Sequence, residues 1–404
     1  MEDYSSAKLR AKLTENMLGR PSLNLDGKGL SRIPDAVTEL SDVEEISLTD
    51  NNLTELPTSI NKLNRLRRLD LDRNKLTELP AEIGELKELW WLRVRDNQLV
   101  GLPTSIQKLN RLKGLNLDGN NLTELPAEIC DLKELDHLSV KDNQLVGLPT
   151  SIQKLNRLHR LNLDGNNLTE LPAEIGELKE LWSLRVRDNQ LVGLPTSIQK
   201  LNRLHRLDLD GNNLTELPAE ICDLKELDHL SVRDNQLVGL PTSIQKLNRL
   251  KWLNLDGNNL TELPAEIGEL KELWSLKVSN NQLVGLPTSI QKLNRLTWLD
   301  VDGNNLTELP AVIGDLKELR WLRVRNNQLV GLPSSIQELN RLRGLYLDGN
   351  TLTELPAEIG DLKELRELYV SGNPLNVDAI KFALKLAKRG LSTDIAGEDK
   401  YRLS

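Results

Sequence analysis

The chain has 404 residues, a formal net charge of −8 and only 3% aromatic residues. Its charge is mild and mixed in sign, which excludes a continuous basic surface for nucleic acid, and no apolar run is long enough to span a membrane. A period of 23 residues runs through most of the chain, so we expect one elongated array of repeats and not the two or three globular domains that the length suggests.

The first predicted element is an amphipathic helix. Leu9, Leu13 and Met17 lie four residues apart with lysine and arginine between them, which is typical of a helix with one apolar side. We assign residues 1–19 as an N-terminal capping helix over the open core of the first repeat. The same stretch has no apolar run of the length found in a secretion signal.

The repeats follow this helix. A degenerate unit occupies residues 20–42, and fourteen full units with the pattern L-x-x-L-x-L-x-x-N-x-L-x-x-L-P-x-x-I-x-x-L occupy residues 43–364. The alternation L-x-L predicts a short strand with one buried side, stacked in parallel on the strands of its neighbours. We expect the asparagine side chain to satisfy backbone groups where the chain turns. After Leu-Pro, an isoleucine and a leucine three residues apart predict a short helix or 3₁₀ turn.

A truncated repeat and a second cap close the array. Val377, Ile380, Leu384 and Ala387 lie on one side of a predicted helix, so we assign residues 365–390 as a truncated last repeat with a C-terminal capping helix. Residues 391–404 predict a polar, frayed tail.

These elements predict an α/β solenoid in the form of a curved horseshoe. A parallel β-sheet lies on its concave face, short helices or 3₁₀ turns lie on its convex face, and helical caps lie at both ends. The charge alternates along the stack: unit 158–180 has two basic and five acidic residues, and unit 181–203 has four basic and one acidic. We therefore expect opposite charges to pair between neighbouring repeats.

One column of the concave face varies while the frame around it stays constant. The third place of the repeat holds four of the seven tryptophans, and two tyrosines follow at the fifth place near the C-terminal end. Exposed tryptophan and tyrosine with neighbouring arginine are typical of binding hot spots. The predicted partner-binding residues are Trp252, Trp298, Trp321, Arg323, Tyr346, Tyr369, Trp91, His137 and His229. The alternative is that these rings only pack over neighbouring side chains, in a structural array without a ligand.

The same face also holds residue types that occur in catalytic sites. His137 and Ser139 share a strand next to Asp118, and His229 with Ser231 repeats the arrangement, so a nucleophile, a base and an acid are nominally present. An open face offers no pocket that excludes water, and the second set is a copy of the first, so we predict no catalytic residue. The histidine spacing does not fit zinc, the Asp-Gly-Asn-Asn stretches do not fit a calcium loop, and we predict no metal and no cofactor.

The two cysteines do not predict a disulfide. Cys130 and Cys222 occupy the same place in units four strands apart, a separation of about 19 Å at ~4.8 Å per strand. The Asn-Leu-Thr sequons belong to the repeat pattern and are interpreted as structural. We expect a cytoplasmic protein.

The motif resembles the 23-residue class of intracellular leucine-rich repeat proteins, which includes the plant Ras-group-related proteins, the Ras suppressor protein and the repeat domains of scribble and erbin. The resemblance covers about residues 20–390. It implies a leucine-rich repeat solenoid that acts as a non-enzymatic scaffold, with a protein or peptide bound on the concave face. It also implies small GTPases or other signalling proteins among the partners, and leaves the oligomeric state open. The near-identity of the units indicates either recent duplication or a consensus design.

Overall fold

The computed structural model describes residues 6–15 and 19–395. The chain divides into two compact units, an N-terminal unit (Met1–Leu204) and a C-terminal unit (His205–Ser404). Each unit is a leucine-rich repeat solenoid with a parallel sheet along one side and short turns of helix along the other. The predicted fold class is therefore confirmed within each unit.

Within residues 6–15 and 19–204, the N-terminal unit contains nine strands. Strands β2 to β9 pair in parallel in chain order, and equivalent places of successive repeats lie side by side, as Trp91 does with Gly114. The strands are β1 Thr14–Glu15, β2 Pro21–Asn24, β3 Glu45–Ser47, β4 Arg68–Asp70, β5 Trp91–Arg93, β6 Gly114–Asn116, β7 His137–Ser139, β8 Arg160–Asn162 and β9 Ser183–Arg185.

Helical segments of this unit are short. Most are five-residue 3₁₀ helices that begin directly after the proline of the repeat, because the extended backbone at proline ends the preceding segment. They are Thr58–Lys62, Ala81–Glu85, Thr104–Lys108, Ala127–Asp131, Thr150–Lys154, Ala173–Glu177 and Thr196–Lys200; the α-helices are α1 Ser6–Ala11 and α2 Asp35–Thr38.

The N-terminal cap differs from the predicted helix over residues 1–19. Helix α1 ends at Ala11, and β1 follows at once and pairs antiparallel with β2, with Thr14 opposite Ser22. Leu9 is fully buried and Leu13 is half-buried, whereas Met17 lies outside the described residues. The physical reason is that the first parallel strand leaves a row of backbone N–H and C=O groups unpaired, and a strand satisfies them where a helix does not.

The C-terminal unit has the same organisation. Its strands pair in parallel in chain order, each with its neighbour in the sequence. They are β10 Arg206–Asp208, β11 His229–Ser231, β12 Trp252–Asn254, β13 Ser275–Lys277, β14 Trp298–Asp300, β15 Trp321–Arg323, β16 Gly344–Tyr346, β17 Glu367–Tyr369 and β18 Ser392–Thr393. The 3₁₀ helices are Ala219–Asp223, Thr242–Lys246, Ala265–Glu269, Thr288–Lys292, Ala311–Asp315, Ser334–Glu338 and Ala357–Asp361, and the capping helix α3 is Val377–Lys388.

The segment predicted as a frayed tail from residue 391 begins with a strand. In β18, Ser392 lies opposite Glu367, so the chain adds one more strand after the capping helix. The Asp394 carboxylate then accepts hydrogen bonds from the backbone N–H groups of Val370 (2.9 Å) and Ser371 (3.1 Å). The prediction was wrong here because the last repeat strand has an open edge whose backbone needs partners. Residues 396–404 lie outside the described part of the chain.

Attachment of β18 is expected to depend on pH. Burial and the neighbouring Asp394 raise the pKa of Asp348 from 3.8 to about 7, although Arg325 Nε lies 3.1 Å from its carboxylate. The pKa of Asp394 is lowered, because hydrogen bonds from Asp348 and Ser371 outweigh its burial. Between pH 4 and 7 the folded pair holds a proton that the unfolded chain releases, so this stabilisation is present at low pH and is lost as pH rises through about 7.

Hydrogen exchange measures this dependence. We expect the backbone amides of Val370 and Ser371, corrected for intrinsic exchange rates, to be more protected at about pH 5.5 than at pH 8.5. In Asp348→Asn the amide donates to Asp394 at every pH, so the dependence should disappear. Equal protection of the unaltered chain at both pH values would contradict the shared proton.

The core of each repeat is made by the leucines of the motif. In the repeat that contains β15, Leu322, Val324, Leu329, Ile336 and Leu339 are all fully buried. They come from the strand, the turn and the 3₁₀ helix of one unit and pack against the same places of the next. Because a single unit cannot enclose its own leucines, the repeats stabilise one another.

Opposite charges pair between successive repeats, as the alternation predicted. Lys292 Nζ lies 2.6 Å from Glu269 and Arg341 pairs with Glu318, each joining one repeat to the one before it. These pairs are exposed, and exposed pairs typically contribute about 0–1 kcal/mol each. Their main effect is to remove like-charge repulsion between closely stacked units.

Candidate partner-binding site

Aromatic side chains of the C-terminal unit form a row on the solvent-facing side of the sheet. In-register pairing puts Trp298 beside Trp321 and Tyr346 beside Tyr369. Ring centroids are 5.9 Å apart for Trp298–Trp321, 6.4 Å for Trp321–Tyr346 and 5.3 Å for Tyr346–Tyr369. These distances fall within the range of favourable ring contacts, so the row forms a continuous apolar surface.

Gly344 has no side chain and so leaves room for the Trp321 ring in this row. Gly344 lies opposite Trp321 on the next strand, and a Cβ at Gly344 would lie 2.5 Å from the Trp321 ring and 2.8 Å from the Tyr346 ring. The indole therefore lies directly over the backbone of β16. The same arrangement recurs in the N-terminal unit, where a Cβ at Gly114 would lie 2.2 Å from the Trp91 ring.

Next to this row, the tryptophans enclose a groove of about 300 Å³. Trp252 and Trp298 stand on the strands on either side of Ser275, whose small, buried side chain leaves the space between the rings open. Trp274 meets Trp252 edge to face, with ring centroids 5.6 Å apart and planes at 80°. We call this space the aromatic groove; it is lined by Trp252, Trp274, Ser275, Lys277, Thr297, Trp298, Arg320 and Trp321.

Trp274 and Arg320 were missed by the sequence reading. They occupy the second place of the repeat, directly before the strand, whereas the predicted residues come from the third and fifth places. Trp274 is 42% exposed. The signal was present, because the second place also varies between units and holds tryptophan at Trp90, Trp182 and Trp274.

Basic side chains lie over the aromatic rings of the C-terminal unit. Lys277 Nζ is 5.3 Å from the centre of the Trp252 ring and 5.9 Å from that of Trp298, within reach of a cation–π interaction. Arg323 lies over Tyr346 at 5.6 Å and pairs with Asp302 at 3.0 Å. The groove itself therefore carries positive charge, whereas the tyrosine end of the row is neutralised by carboxylates.

Hydrogen bonding orders the tyrosine end of the row. The Tyr346 hydroxyl donates to Glu367, and burial together with this carboxylate raises the pKa of Tyr346, so the hydroxyl stays protonated. Tyr369 stacks on Tyr346 with an angle of 8° between the planes. Arg323, Tyr346 and Tyr369 thus lie beside the groove and do not line it.

The two predicted histidines lie in different environments. His229 packs against Trp252 with ring centroids 5.0 Å apart, at the edge of the groove. Burial and the charge of Arg206 lower the pKa of His229 to about 4, so this imidazole is neutral at pH 7. His137 contacts Trp91 at 6.1 Å in the N-terminal unit. Trp91 and His137 are therefore not part of the aromatic groove, which belongs to the C-terminal unit.

The nominal catalytic set does not form a nucleophile–base pair. Ser139 Oγ donates directly to Asp118 at 2.5 Å, whereas His137 Nδ1 lies 3.0 Å from Asp136. The serine is thus bonded to a carboxylate without the histidine between them. Within residues 6–15 and 19–395, no group of three His, Cys, Asp or Glu side chains is placed to hold a metal ion. No helix in the same ranges has both the length and the apolar character to cross a bilayer.

A second groove lies in the N-terminal unit and differs in charge. It has a volume of about 420 Å³ and is lined by Arg67, Glu88, Trp90, Arg111, Lys113 and Glu134. Arg111 pairs with Glu88, and Arg67 Nε lies 3.3 Å from Glu44. It offers one tryptophan and two carboxylates, whereas the aromatic groove offers four tryptophans and is lined by no acidic side chain.

Comparison with known proteins identifies the family. A model described as "Leucine-rich repeat region" matches residues 104–181, 242–310 and 301–388, and one described as "Leucine rich repeat" matches residues 22–76, 41–99, 179–237 and 202–260. The chain belongs to the leucine-rich repeat family. Among curated proteins there is no significant match.

Solved structures show the same fold. A leucine-rich repeat protein of Leptospira interrogans is 39% identical, with a TM-score of 0.88 over 92% of this chain and 95% of that one. The plant peptide hormone receptor RGFR1, in complex with RGF2, is 31% identical, with a TM-score of 0.75 over 90% of this chain and 64% of the receptor. A TDR receptor is 31% identical, with a TM-score of 0.70 over 88% and 68% of the two chains.

Proposed function

We propose that this leucine-rich repeat protein is a non-enzymatic scaffold that binds a protein or peptide partner at the aromatic groove and the adjoining aromatic row. The observation that carries the proposal is the grouping of four tryptophans around one open space, on a face where the rest of the repeat is nearly constant. Large, half-buried rings beside fixed cations are typical of residues that dominate binding energy.

The family supports a binding role in general terms. RGFR1, a similar structure, is a plant peptide hormone receptor in complex with RGF2. The 23-residue intracellular class and a cytoplasmic location remain proposals, supported by the length of the repeat and its Leu-Pro-x-x-Ile element. Small GTPases and other signalling proteins enter as partners only through that resemblance.

The alternative is a structural array without a ligand. It is favoured by the ring-to-ring contacts of the aromatic row and by the exposed ion pairs, since both satisfy the side chains without a partner. In this reading the rings and charges serve only the stacking of repeats.

Affinity capture from cytosol separates the two readings. We expect the Trp298→Ala/Trp321→Ala chain to lose the partner held by the unaltered chain, since hot-spot residues contribute about 2 kcal/mol or more each. The control is Trp182→Ala, which removes another exposed tryptophan from the N-terminal unit. Melting temperatures are measured for all forms. A partner held equally by every form would mean that binding occurs away from these rings, and capture by none of the forms favours the structural array.

A further inference from the structure

We propose that the aromatic groove takes an acidic segment of a protein: an extended peptide in which one bulky apolar side chain is flanked by carboxylates. The proposal rests on the function proposed above and specifies the chemistry of the partner.

The ion pairing of the cations at the groove supports an acidic partner. The basic residues directly beside the groove have carboxylate partners; Arg325 lies 3.1 Å from Asp348, and Arg323 lies 3.0 Å from Asp302. In contrast, Lys277 and Arg320 form no ion pair and no side-chain hydrogen bond with any residue in the described ranges. The two cations that line the aromatic groove thus lack the ion pairs that hold Arg323 and Arg325 beside it.

Lys277 has no ion-pair partner because the side chains at the equivalent places of the adjacent strands do not offer it a free carboxylate. On the two adjacent strands the equivalent places hold Asn254 and Asp300. The Asp300 carboxylate accepts from Ser279 Oγ at 2.7 Å and lies 3.4 Å from Arg323. The ammonium group of Lys277 instead lies over the Trp252 and Trp298 rings, where a ligand carboxylate can reach it.

The shape of the groove fits one bulky apolar side chain. Trp252 and Trp298 stand two strand spacings apart, about 9–10 Å, with Ser275 between them. This separation admits one aromatic or branched aliphatic side chain between the two indoles. No acidic side chain lines the groove.

The spacing of the cations at the groove fits an extended peptide. Lys277 follows Ser275 by two residues on β13, a rise of about 6.6 Å, which equals the spacing of alternate residues in an extended peptide. Arg320 lies on the opposite side of the groove, directly before β15. A peptide with its apolar residue over Ser275 therefore presents acidic residues to a cation on each side.

Single-stranded nucleic acid also combines stacking with negative charge, but it fits this face less well. Asp256, Asp300 and Asp302 lie beside the groove on the same side of the sheet. A phosphate backbone carries one charge per nucleotide and needs a continuous basic track, whereas a peptide needs only the two cations present.

The test uses three acetylated, amidated heptapeptides labelled with a fluorophore: Gly-Glu-Glu-Phe-Glu-Glu-Gly, the same peptide with lysine for glutamate, and the same peptide with alanine for phenylalanine. Binding to the full chain is measured by fluorescence anisotropy, and chemical shifts of the tryptophan indole N–H groups report the site. We expect the acidic phenylalanine peptide to bind about tenfold or more tightly than either of the others, from its two charge contacts and its ring.

Charge reversal of the groove provides the decisive variant. In Lys277→Glu/Arg320→Glu the preference should invert, so that the lysine peptide binds more tightly than the glutamate peptide. Lys292→Glu/Arg341→Glu makes the same change in net charge at cations that pair with Glu269 and Glu318, and should keep the original preference. An inversion in the control pair would mean that net charge alone decides.

Three other outcomes would overturn or replace the acidic segment. Equal binding of the acidic and basic peptides would overturn the acidic segment and leave the proposed scaffold function in place. Tighter binding of a labelled eight-nucleotide oligothymidine would replace the peptide with nucleic acid. If no probe binds and the Trp298→Ala/Trp321→Ala chain captures the same proteins as the unaltered chain, both proposals fail.

Discussion

Replacement of Asn304 by alanine is expected to lower the free energy of unfolding by about 3 kcal/mol, because several buried backbone groups lose their partners. The side-chain amide of Asn304 donates to the carbonyl groups of Val278 (2.9 Å) and Val301 (3.0 Å), and its oxygen accepts from Leu283 N–H (3.0 Å). Asn304 is only 6% exposed, so water does not replace these bonds. Urea unfolding followed by circular dichroism measures the loss.

The adjacent residue supplies a matched control. Asn305 is exposed, and its oxygen accepts only a surface hydrogen bond of 3.3 Å from Gln328. We expect Asn305→Ala to change stability by less than about 0.5 kcal/mol. If the two variants lose similar amounts of stability, Asn304 does not have the structural role that its hydrogen bonds indicate.

Alanine at Gly344 is expected to destabilise the chain by about 1–3 kcal/mol and to displace Trp321, because the new Cβ overlaps a packed ring. The backbone at this strand position is not strained, so the effect comes from the 2.5 Å approach to the indole. The near-ultraviolet circular dichroism of the tryptophans should change together with the melting temperature. Partner binding should weaken as well, since Trp321 lines the aromatic groove.

Gly331→Ala is the control for this prediction. A Cβ at Gly331 meets no atom within 4 Å, so the substitution should be neutral or stabilise by up to about 1 kcal/mol through the unfolded chain. An unchanged tryptophan spectrum in Gly344→Ala would show that the indole moves aside freely and that glycine is not required there.

The aromatic row, with Trp298, Trp321, Tyr346 and Tyr369, could be predicted from the sequence because the repeat puts equivalent places of successive units side by side. Once the strand pairs in register, Trp298 must lie beside Trp321, and Tyr346 beside Tyr369. The groove could not be predicted, because Trp274 and Arg320 lie outside the strand at a place whose direction depends on the turn.

The sequence by itself determined the repeat, the fold class, the buried leucines and the alternation of charge, because a 23-residue period with one apolar pattern can bury its leucines only by stacking. Only the tertiary structure decided how the ends close and which cations stay unpaired. Strands β1 and β18 form because the sheet edges need backbone partners, a demand that no local pattern records. Lys277 is unpaired because two other side chains contact the Asp300 carboxylate beside it. They are Arg323 on β15 and Ser279 just after β13.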